Sequence, residues 1–207
     1  VDCGVYDLHA VYLKPFEMVL RHLPVYAVMS TYNSWNRVPN SASRYLLTDI
    51  LRNRWGFKGY VYSDWGAIEM LENFHHTAAN KAEAATQALT AGLDVEASSE
   101  CYPELSRLVK EGKLEEAYID TAVRRVLTAK FECGLFEDPY GEKYAASGEM
   151  HSPRSVELSR RIAEESIVLL KNENNLLPLD MNKLTSIAVL GPNADQVQFG
   201  DYTWSRD

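Results

Sequence analysis

The sequence predicts an α/β fold in which short strands alternate with helices. Three short apolar runs, residues 25–30, 60–63 and 93–96, have the composition of buried parallel strands. A segment with helical periodicity follows each run, which is typical of βα units. A full (β/α)8 barrel needs about 250 residues. Three strands within the first ~135 residues therefore indicate either a smaller α/β domain or a part of a barrel.

The first part of the chain divides into a helix, a strand, a loop and a second helix. Pro15 suits the first turn of the opening helix, which precedes the first strand. Residues 31–43 contain Asn, Ser and Pro and predict a loop. Ser41 or Ser43 can cap the second helix, which should end at Gly56. The apolar face of that helix consists of Leu46, Leu47, Ile50 and Leu51.

The second strand ends at Asp64, and the elements that follow it are again helical. Residues 82–91 predict a helix that ends at Gly92. The third strand follows directly, and two helices come after it, over residues 105–110 and 118–133. The last of these helices has apolar residues at 3.6-residue spacing, so one of its faces should be buried.

The remainder of the chain predicts a linker and the beginning of a second domain. Residues 136–152 contain Asp, Pro, Gly and Ser and few aliphatic residues, as linkers do. Ser152 and Pro153 then open a long helix, with Ser152 as the cap. Residues 187–190 are apolar and run into a Gly-Pro-Asn loop, which predicts another strand. One face of the long helix carries Leu158, Ile162 and Leu169.

Composition excludes several classes of protein. The 207 residues carry a net charge of −8 and are 46% hydrophobic and 24% charged, which argues against a disordered or fibrous chain. Cations occur as isolated pairs such as Arg124 and Arg125, so we expect no nucleic-acid partner. No apolar run approaches the ~20 residues of a membrane span. Three widely spaced cysteines predict neither a disulfide framework nor a zinc site.

The segment Ser63-Asp64-Trp65-Gly66 is the most informative candidate site. In parallel α/β domains, functional residues collect where strands end and loops begin, and Asp64 occupies such a position. A carboxylate can attack the anomeric carbon of a sugar, and an indole face can pack on a pyranose ring. The alternative is that Asp64 caps the next helix and Trp65 fills the core.

Two further polar groups follow the other strands. Tyr32 and Asn33, after the first strand, offer hydrogen bonds to a hydroxylated ligand, or form a turn with a surface tyrosine. Asp94 and Glu96 alternate along the third strand and should share a face. They could form a catalytic pair, but a solvated pair, or a carboxylate that binds a backbone amide, is the favoured interpretation.

The motif Glu72-x-x-His75-His76 has the spacing of half a metal site. Di-metal helical bundles require a second copy of such a motif, and the sequence has none. A polar loop is therefore the favoured interpretation, and we predict no metal. Nucleotide and dinucleotide motifs are also absent from the sequence, so no cofactor is expected.

Taken together, the motifs along the chain resemble glycoside hydrolase family 3, which contains β-glucosidases and β-xylosidases. Singly each motif is weak, but their order and spacing together are highly specific, and they cover nearly the whole chain. The matching segments are MSTYN at 29–33, VP at 38–39, LLTDILR at 46–52, WGFKG at 55–59, SDW at 63–65, AGLD at 91–94, GLF at 134–136, ESIVLLKN at 165–172 and GPNAD at 191–195.

The resemblance implies two domains that share one cleft. Residues 1–135 would be the C-terminal part of a (β/α)8-type barrel, 136–152 a linker and 153–207 the beginning of an α/β sandwich domain. On this mapping Asp64 is the nucleophile of a retaining double displacement. Trp65 and Met29 would line the subsite of the terminal sugar, and Tyr32 would position the nucleophile.

The sequence also departs from the family pattern. The Lys-His dipeptide that holds sugar hydroxyls in the family has no counterpart, and the general acid/base is expected beyond Asp207. We therefore expect this chain alone to be nearly inactive, because general acid catalysis contributes about 10²–10⁴-fold. An incomplete barrel leaves strand edges unpaired, so self-association, or pairing with the missing parts of a parent chain, is also expected.

The function implied is removal of terminal non-reducing β-D-glucosyl or β-D-xylosyl residues from plant-type glycans. The substrate would be an oligosaccharide or aryl β-glycoside. A bacterial parent that acts on plant glycans would often be periplasmic or secreted, but no export signal in the sequence identifies its location. Residues 100–103 resemble the xylosidase branch, whereas Trp65 resembles the glucosidase branch. The alternative function is a non-catalytic carbohydrate-binding or interaction module with Trp65, Tyr32 and Trp35 as platforms.

Overall fold

The computed structural model describes residues 1–140, 151–196 and 202. Its contacts divide the chain into two units, Val1–Ala145 and Ala146–Asp207. The division falls inside the predicted linker 136–152, of which residues 141–150 lie outside the described residues. The two units are described separately below.

The first unit combines helices with short strands. Its elements are, in chain order, α1 (Val5–Asp7), a π-helical turn (Leu8–Tyr12), α2 (Lys14–His22), β1 (Ala27–Met29), β2 (Ser34–Trp35), β3 (Val38–Pro39), a 3₁₀ turn (Asn40–Ala42), a π-helical segment (Tyr45–Arg54), β4 (Tyr60–Tyr62), α3 (Met70–Asn73), α4 (Lys81–Ala91), α5 (Glu104–Lys110) and α6 (Glu116–Glu132). The helices predicted after Pro15 and over 82–91, 105–110 and 118–133 are confirmed within about two residues.

Strands β1 and β4 form a parallel pair in the register Ala27–Tyr60, Val28–Val61 and Met29–Tyr62. The third predicted strand, 93–96, is wrong as a strand, because only Val95 makes a parallel bridge, to Tyr62. The physical reason lies at Val61, whose N–H donates to the Asp94 carboxylate at 2.8 Å. A side chain thereby takes the place of a ladder partner, and regular pairing ends there.

The predicted loop 31–43 contains structure that the sequence analysis missed. Strands β2 and β3 pair antiparallel, with Trp35 opposite Val38. The two residues between them, Asn36 and Arg37, both have positive φ, as a tight hairpin turn requires. After the hairpin, the Ser43 hydroxyl accepts the Leu46 N–H at 3.3 Å, so Ser43 is the predicted cap that the structure uses.

Helix α4 supplies a surface of small residues to the core. It begins at Asn80, whose side chain accepts the Glu83 N–H at 3.0 Å, and it ends at Gly92 with φ +110°. Its buried alanines allow neighbouring elements to approach closely, and the core forms around them. The fully buried side chains that pack in this core include Val61, Ile68, Leu71, Ala84, Ala85, Ala88, Leu93 and Cys101.

In the second unit, helix α7 (Pro153–Ser166) begins at Ser152, whose hydroxyl accepts the Ser155 N–H at 3.2 Å. The helix ends before Leu169, so the prediction that this residue continues the apolar face is wrong. The strand predicted over 187–190 is also wrong. The described residues of this unit contain no strand that could pair with it, and its Leu190 is 88% exposed.

The helices of the described residues are too short or too polar to cross a lipid bilayer.

Candidate active site

The carboxyl ends of β1 and β4 form the edge at which the candidate residues meet. Ser30 donates its N–H to the Tyr62 carbonyl at 2.8 Å, and Ser63 donates its N–H to the Val95 carbonyl at 2.9 Å. These two bonds extend the parallel pairing just beyond the strands. Asp64 therefore leaves the sheet at the edge where loops of α/β domains carry function, as the sequence predicts.

The Asp64 carboxylate is half-buried and partly free. Its Oδ1 accepts the N–H of Trp65 at 2.7 Å, and among the described residues no hydrogen bond reaches Oδ2. The Asp64 carbonyl accepts the Ala67 N–H at 3.0 Å, which closes a turn. The alternative that Asp64 caps the next helix is wrong, because α3 begins at Met70 with Glu69 in the cap position. One carboxylate oxygen is thus available for chemistry.

Trp65 and Tyr32 come together beside this carboxylate. The Tyr32 hydroxyl donates to the Trp65 carbonyl at 2.8 Å, although the two residues are 33 positions apart. The Trp65 side chain does not fill the core, since the residue is 71% exposed, and Tyr32 is 40% exposed. Met29 lies at the same edge, at the end of β1, and is 56% exposed. The four candidate residues therefore share one open edge of the sheet.

The turn that carries Asp64 is anchored by Ser63, to which the sequence analysis gave no role of its own. Ser63 is fully buried, and its hydroxyl accepts the Ala97 N–H at 2.7 Å. The Ala97 carbonyl in turn accepts the Gly66 N–H at 2.8 Å. These two bonds fasten the turn on either side of Asp64 to the chain that follows Val95. Such support holds a reactive side chain in one geometry.

Asp94 is a structural anion and not half of a catalytic pair. Its side chain is 1% exposed and accepts hydrogen bonds from Arg52 at 2.6 Å and Arg125 at 2.7 Å, in addition to the Val61 N–H. Burial lowers the pKa of the Arg52 guanidinium, and the Asp94 charge opposes that effect. Of the two interpretations that the sequence favours, a carboxylate that binds a backbone amide is confirmed, and a solvated pair is wrong because the Asp94 side chain is buried.

Glu96 likewise organises a turn. Its carboxylate accepts the N–H groups of Cys101 at 2.9 Å and Tyr102 at 2.8 Å, and the Ser99 hydroxyl at 2.8 Å. Burial, assisted by the nearby Glu96 charge, raises the pKa of the Cys101 thiol to about 12. Both carboxylates of the Asp94-x-Glu96 pattern therefore serve the fold.

The raised pKa predicts that Cys101 resists alkylation. At pH 8 a thiol with a pKa of about 12 is ionised in only about one molecule in 10⁴, and the thiolate is the reactive form. We expect iodoacetamide at pH 8 to modify the exposed Cys133 and to leave Cys101 unmodified until the protein is denatured. Peptide mass spectrometry checks this, and equal labelling of both residues in native protein would contradict it.

The two histidines of the Glu72-x-x-His75-His76 motif bind carbonyl groups. His75 Nε2 lies 2.9 Å from the Tyr32 carbonyl, and His76 Nδ1 lies 2.9 Å from the Glu72 carbonyl. Within residues 1–140 and 151–196, no group of three His, Cys, Asp or Glu side chains could hold a metal ion. The contact of His75 with Tyr32 could not be foreseen from the spacing of the motif.

Comparison with known proteins gives consistent matches over most of the chain. The family profile described as glycosyl hydrolase family 3 N terminal domain matches residues 1–129, and the C-terminal domain profile matches residues 167–206. A β-xylosidase of Formosa agariphila is 39% identical over 203 residues, which cover 94% of this chain and 28% of that protein. A periplasmic β-glucosidase of Salmonella typhimurium is 42% identical over 189 residues, which cover 86% of this chain and 24% of that protein.

Solved structures agree with these matches. The crystal structure of a β-glucosidase from Listeria innocua has a TM-score of 0.69 and 36% identity, and the match covers 86% of this chain and 25% of that one. The chain spans about a quarter of the length of the curated relatives it matches. The fold is α/β, as the sequence predicts. The chain belongs to glycosyl hydrolase family 3.

Proposed function

We propose that these residues are part of a retaining exo-β-glycosidase. It would remove terminal non-reducing β-D-glucosyl or β-D-xylosyl residues from plant-type glycans by double displacement. Residues 1–135 would contribute part of a catalytic barrel, 136–152 a linker and 153–207 the beginning of an α/β sandwich domain. Relatives named β-xylosidase and β-glucosidase support both sugars, and similar Listeria innocua structures hold glucose and isofagomine.

The proposal rests on the hydrogen bonding of the two Asp64 carboxylate oxygens. One carboxylate oxygen is held by the Trp65 N–H while the other has no partner among the described residues. In the first step, Oδ2 of Asp64 would bond to C1 of the sugar while the leaving oxygen takes a proton from a general acid. In the second step, water would attack C1 and give a proton to the deprotonated general acid, which now acts as a base. The bond from C1 to Asp64 breaks, and the β configuration is retained.

The neighbouring side chains fit a sugar subsite. The exposed indole of Trp65 can pack on the apolar face of a pyranose, and Met29 can line the same subsite from β1. Tyr32 would act through the backbone, since its hydroxyl donates to the Trp65 carbonyl next to the nucleophile. In this way Tyr32 would position the nucleophile, as the family resemblance implies.

We further propose that activity requires a longer polypeptide than these 207 residues. Retaining enzymes hold two carboxyl groups about 5–5.5 Å apart, and Asp94 and Glu96 are occupied by structural bonds. Among the described residues β1 has β4 as its one strand neighbour, which leaves an edge for pairing with further barrel strands or a second copy. The isolated chain should therefore be nearly inactive and should self-associate.

The test compares the full-length polypeptide that carries this sequence with the 207-residue chain. The full-length polypeptide should hydrolyse p-nitrophenyl β-glucoside or β-xyloside, and the first sugar released should be the β-anomer by NMR. Release of the α-anomer would overturn the retaining mechanism. The substrate with the higher kcat/KM identifies the sugar.

The alternative function, a non-catalytic carbohydrate-binding module, predicts calorimetric binding of oligosaccharides without hydrolysis. Trp35 fits this alternative less well than Trp65 and Tyr32 do, because its ring stacks on Tyr45 at 5.5 Å and its N–H donates to the Cys3 carbonyl. Binding by the full-length polypeptide without any turnover would favour this alternative.

A further inference from the structure

The turn after α3 reaches the candidate active site through one side chain. His75 Nε2 lies 2.9 Å from the Tyr32 carbonyl, across 43 positions of sequence. A carbonyl oxygen only accepts hydrogen bonds, so Nε2 must carry the hydrogen. The Tyr32 carbonyl thus identifies Nε2 as the donor nitrogen of His75. None of the steps proposed for Asp64 uses this histidine.

The imidazole is itself held in place. The His75 backbone N–H donates to the Met70 carbonyl at 2.7 Å, and the imidazole and the Phe74 ring pack edge to face at a centroid distance of 5.0 Å. The side chain is half-buried. A donor fixed in this way can hold a loop residue at a constant position.

We propose that His75 is a positioning residue for the sugar platform. Its Nε2–H holds the Tyr32 carbonyl, and the Tyr32 hydroxyl holds the Trp65 carbonyl at 2.8 Å. The Trp65 N–H then donates to Asp64 at 2.7 Å, so four residues from three connecting segments form one connected series. The inference rests on the proposed function, because it assigns the ligand of this series as a sugar on Trp65.

The exposure of the two aromatic residues is the reason that this series matters. Trp65 is largely exposed and Tyr32 is partly exposed, so core packing does not determine the position of either ring. The hydrogen bonds to the Tyr32 and Trp65 carbonyls therefore contribute to where the indole stands. A platform binds the sugar alike in the ground state and the transition state, so its displacement raises KM more than it lowers kcat.

The experiment uses three variants of the full-length polypeptide. His75→Ala removes the donor, and His75→Gln supplies an amide N–H in its place. His76→Asn is the matched control, because it replaces the neighbouring imidazole in the same turn and Asn tolerates the positive φ of this position. We expect His75→Ala to raise KM for the aryl glycoside about 3–10-fold with kcat within about twofold, as one lost hydrogen bond allows. His75→Gln and His76→Asn should stay within about twofold of the parent.

A second measurement does not depend on activity. In protein labelled with 5-fluorotryptophan, the ¹⁹F resonance that disappears in Trp65→Phe belongs to Trp65. That resonance should shift in His75→Ala and keep its position in His75→Gln and His76→Asn. An unchanged resonance in all three variants, or an equal shift in all three, overturns the inference. An inactive parent with the expected ¹⁹F pattern would leave the positioning role supported and overturn the glycosidase assignment instead.

Discussion

Replacing Asp64 by Ala is expected to lower kcat/KM of the full-length polypeptide for an aryl β-glycoside by at least about 10³-fold. The substitution removes the oxygen that would bond to C1, and no other carboxylate of the described turn is free to replace it. Steady-state kinetics with p-nitrophenyl β-glucoside and β-xyloside measures the loss. A decrease smaller than about tenfold would contradict nucleophilic catalysis by this residue.

The matched control is Asp49→Asn, which removes an exposed carboxylate on the π-helical segment Tyr45–Arg54. This variant should keep the parent kcat/KM within about twofold, because exposed substitutions away from a site have small effects. The Asp64→Ala protein should still bind sugar in a calorimeter, since the Trp65 platform is intact. Loss of binding together with turnover would instead point to a disturbed turn.

The second large effect concerns stability and is expected at Asp94. Asp94→Ala should lower the free energy of unfolding by about 3–5 kcal/mol, because it leaves the Arg52 and Arg125 guanidinium groups without their buried counter-charge. The Val61 N–H loses its acceptor in the same substitution. Urea unfolding of the same polypeptide, followed by circular dichroism, measures the difference.

Asp120→Asn is the control for the loss of one negative charge. Asp120 is exposed on α6 and makes no ion pair within the described residues, so its replacement should change stability by less than about 0.5 kcal/mol. An Asp94→Ala protein with a change below about 1 kcal/mol would show that the two arginines find other partners or water.

The sequence predicted the helices best, because apolar spacing and terminating residues close to each helix specify it. Helix α6 follows from its apolar periodicity, and helix α4 follows from Gly92 as a terminator. The strand predicted over 187–190 fails for the opposite reason, since a strand exists only with a neighbour and apolar composition does not supply one. The hairpin of β2 and β3 was missed because Asn36 and Arg37 are a weak turn signal compared with Asn-Gly.

The sequence could predict those candidate site residues whose location depends on their position at the end of a strand. Asp64, Trp65 and Tyr32 follow from the rule that function collects at the carboxyl ends of parallel strands, whereas Met29 was named through the family resemblance. The contacts that support them join residues distant in sequence, such as the 33 positions between Tyr32 and Trp65, and no local pattern encodes such pairs.

The long-range bonds of Asp94 and His75 escaped the sequence analysis for the same reason. Asp94 lies 42 positions from Arg52 and 31 from Arg125, and the charges of isolated residues carry no information about such partners. His75 was read from its spacing to Glu72, yet its ring contacts Tyr32. In both cases the tertiary fold, and not the motif, decides what the side chain does.

The central claim is that Asp64 forms a covalent bond to the anomeric carbon of the sugar. The most direct measurement treats the full-length polypeptide with a 2-deoxy-2-fluoro-β-glycosyl fluoride and maps the modified peptide by mass spectrometry. The account predicts a stoichiometric glycosyl adduct on the peptide Ser63-Asp64-Trp65, carried by the Asp64 side chain. An adduct on any other carboxylate would contradict it.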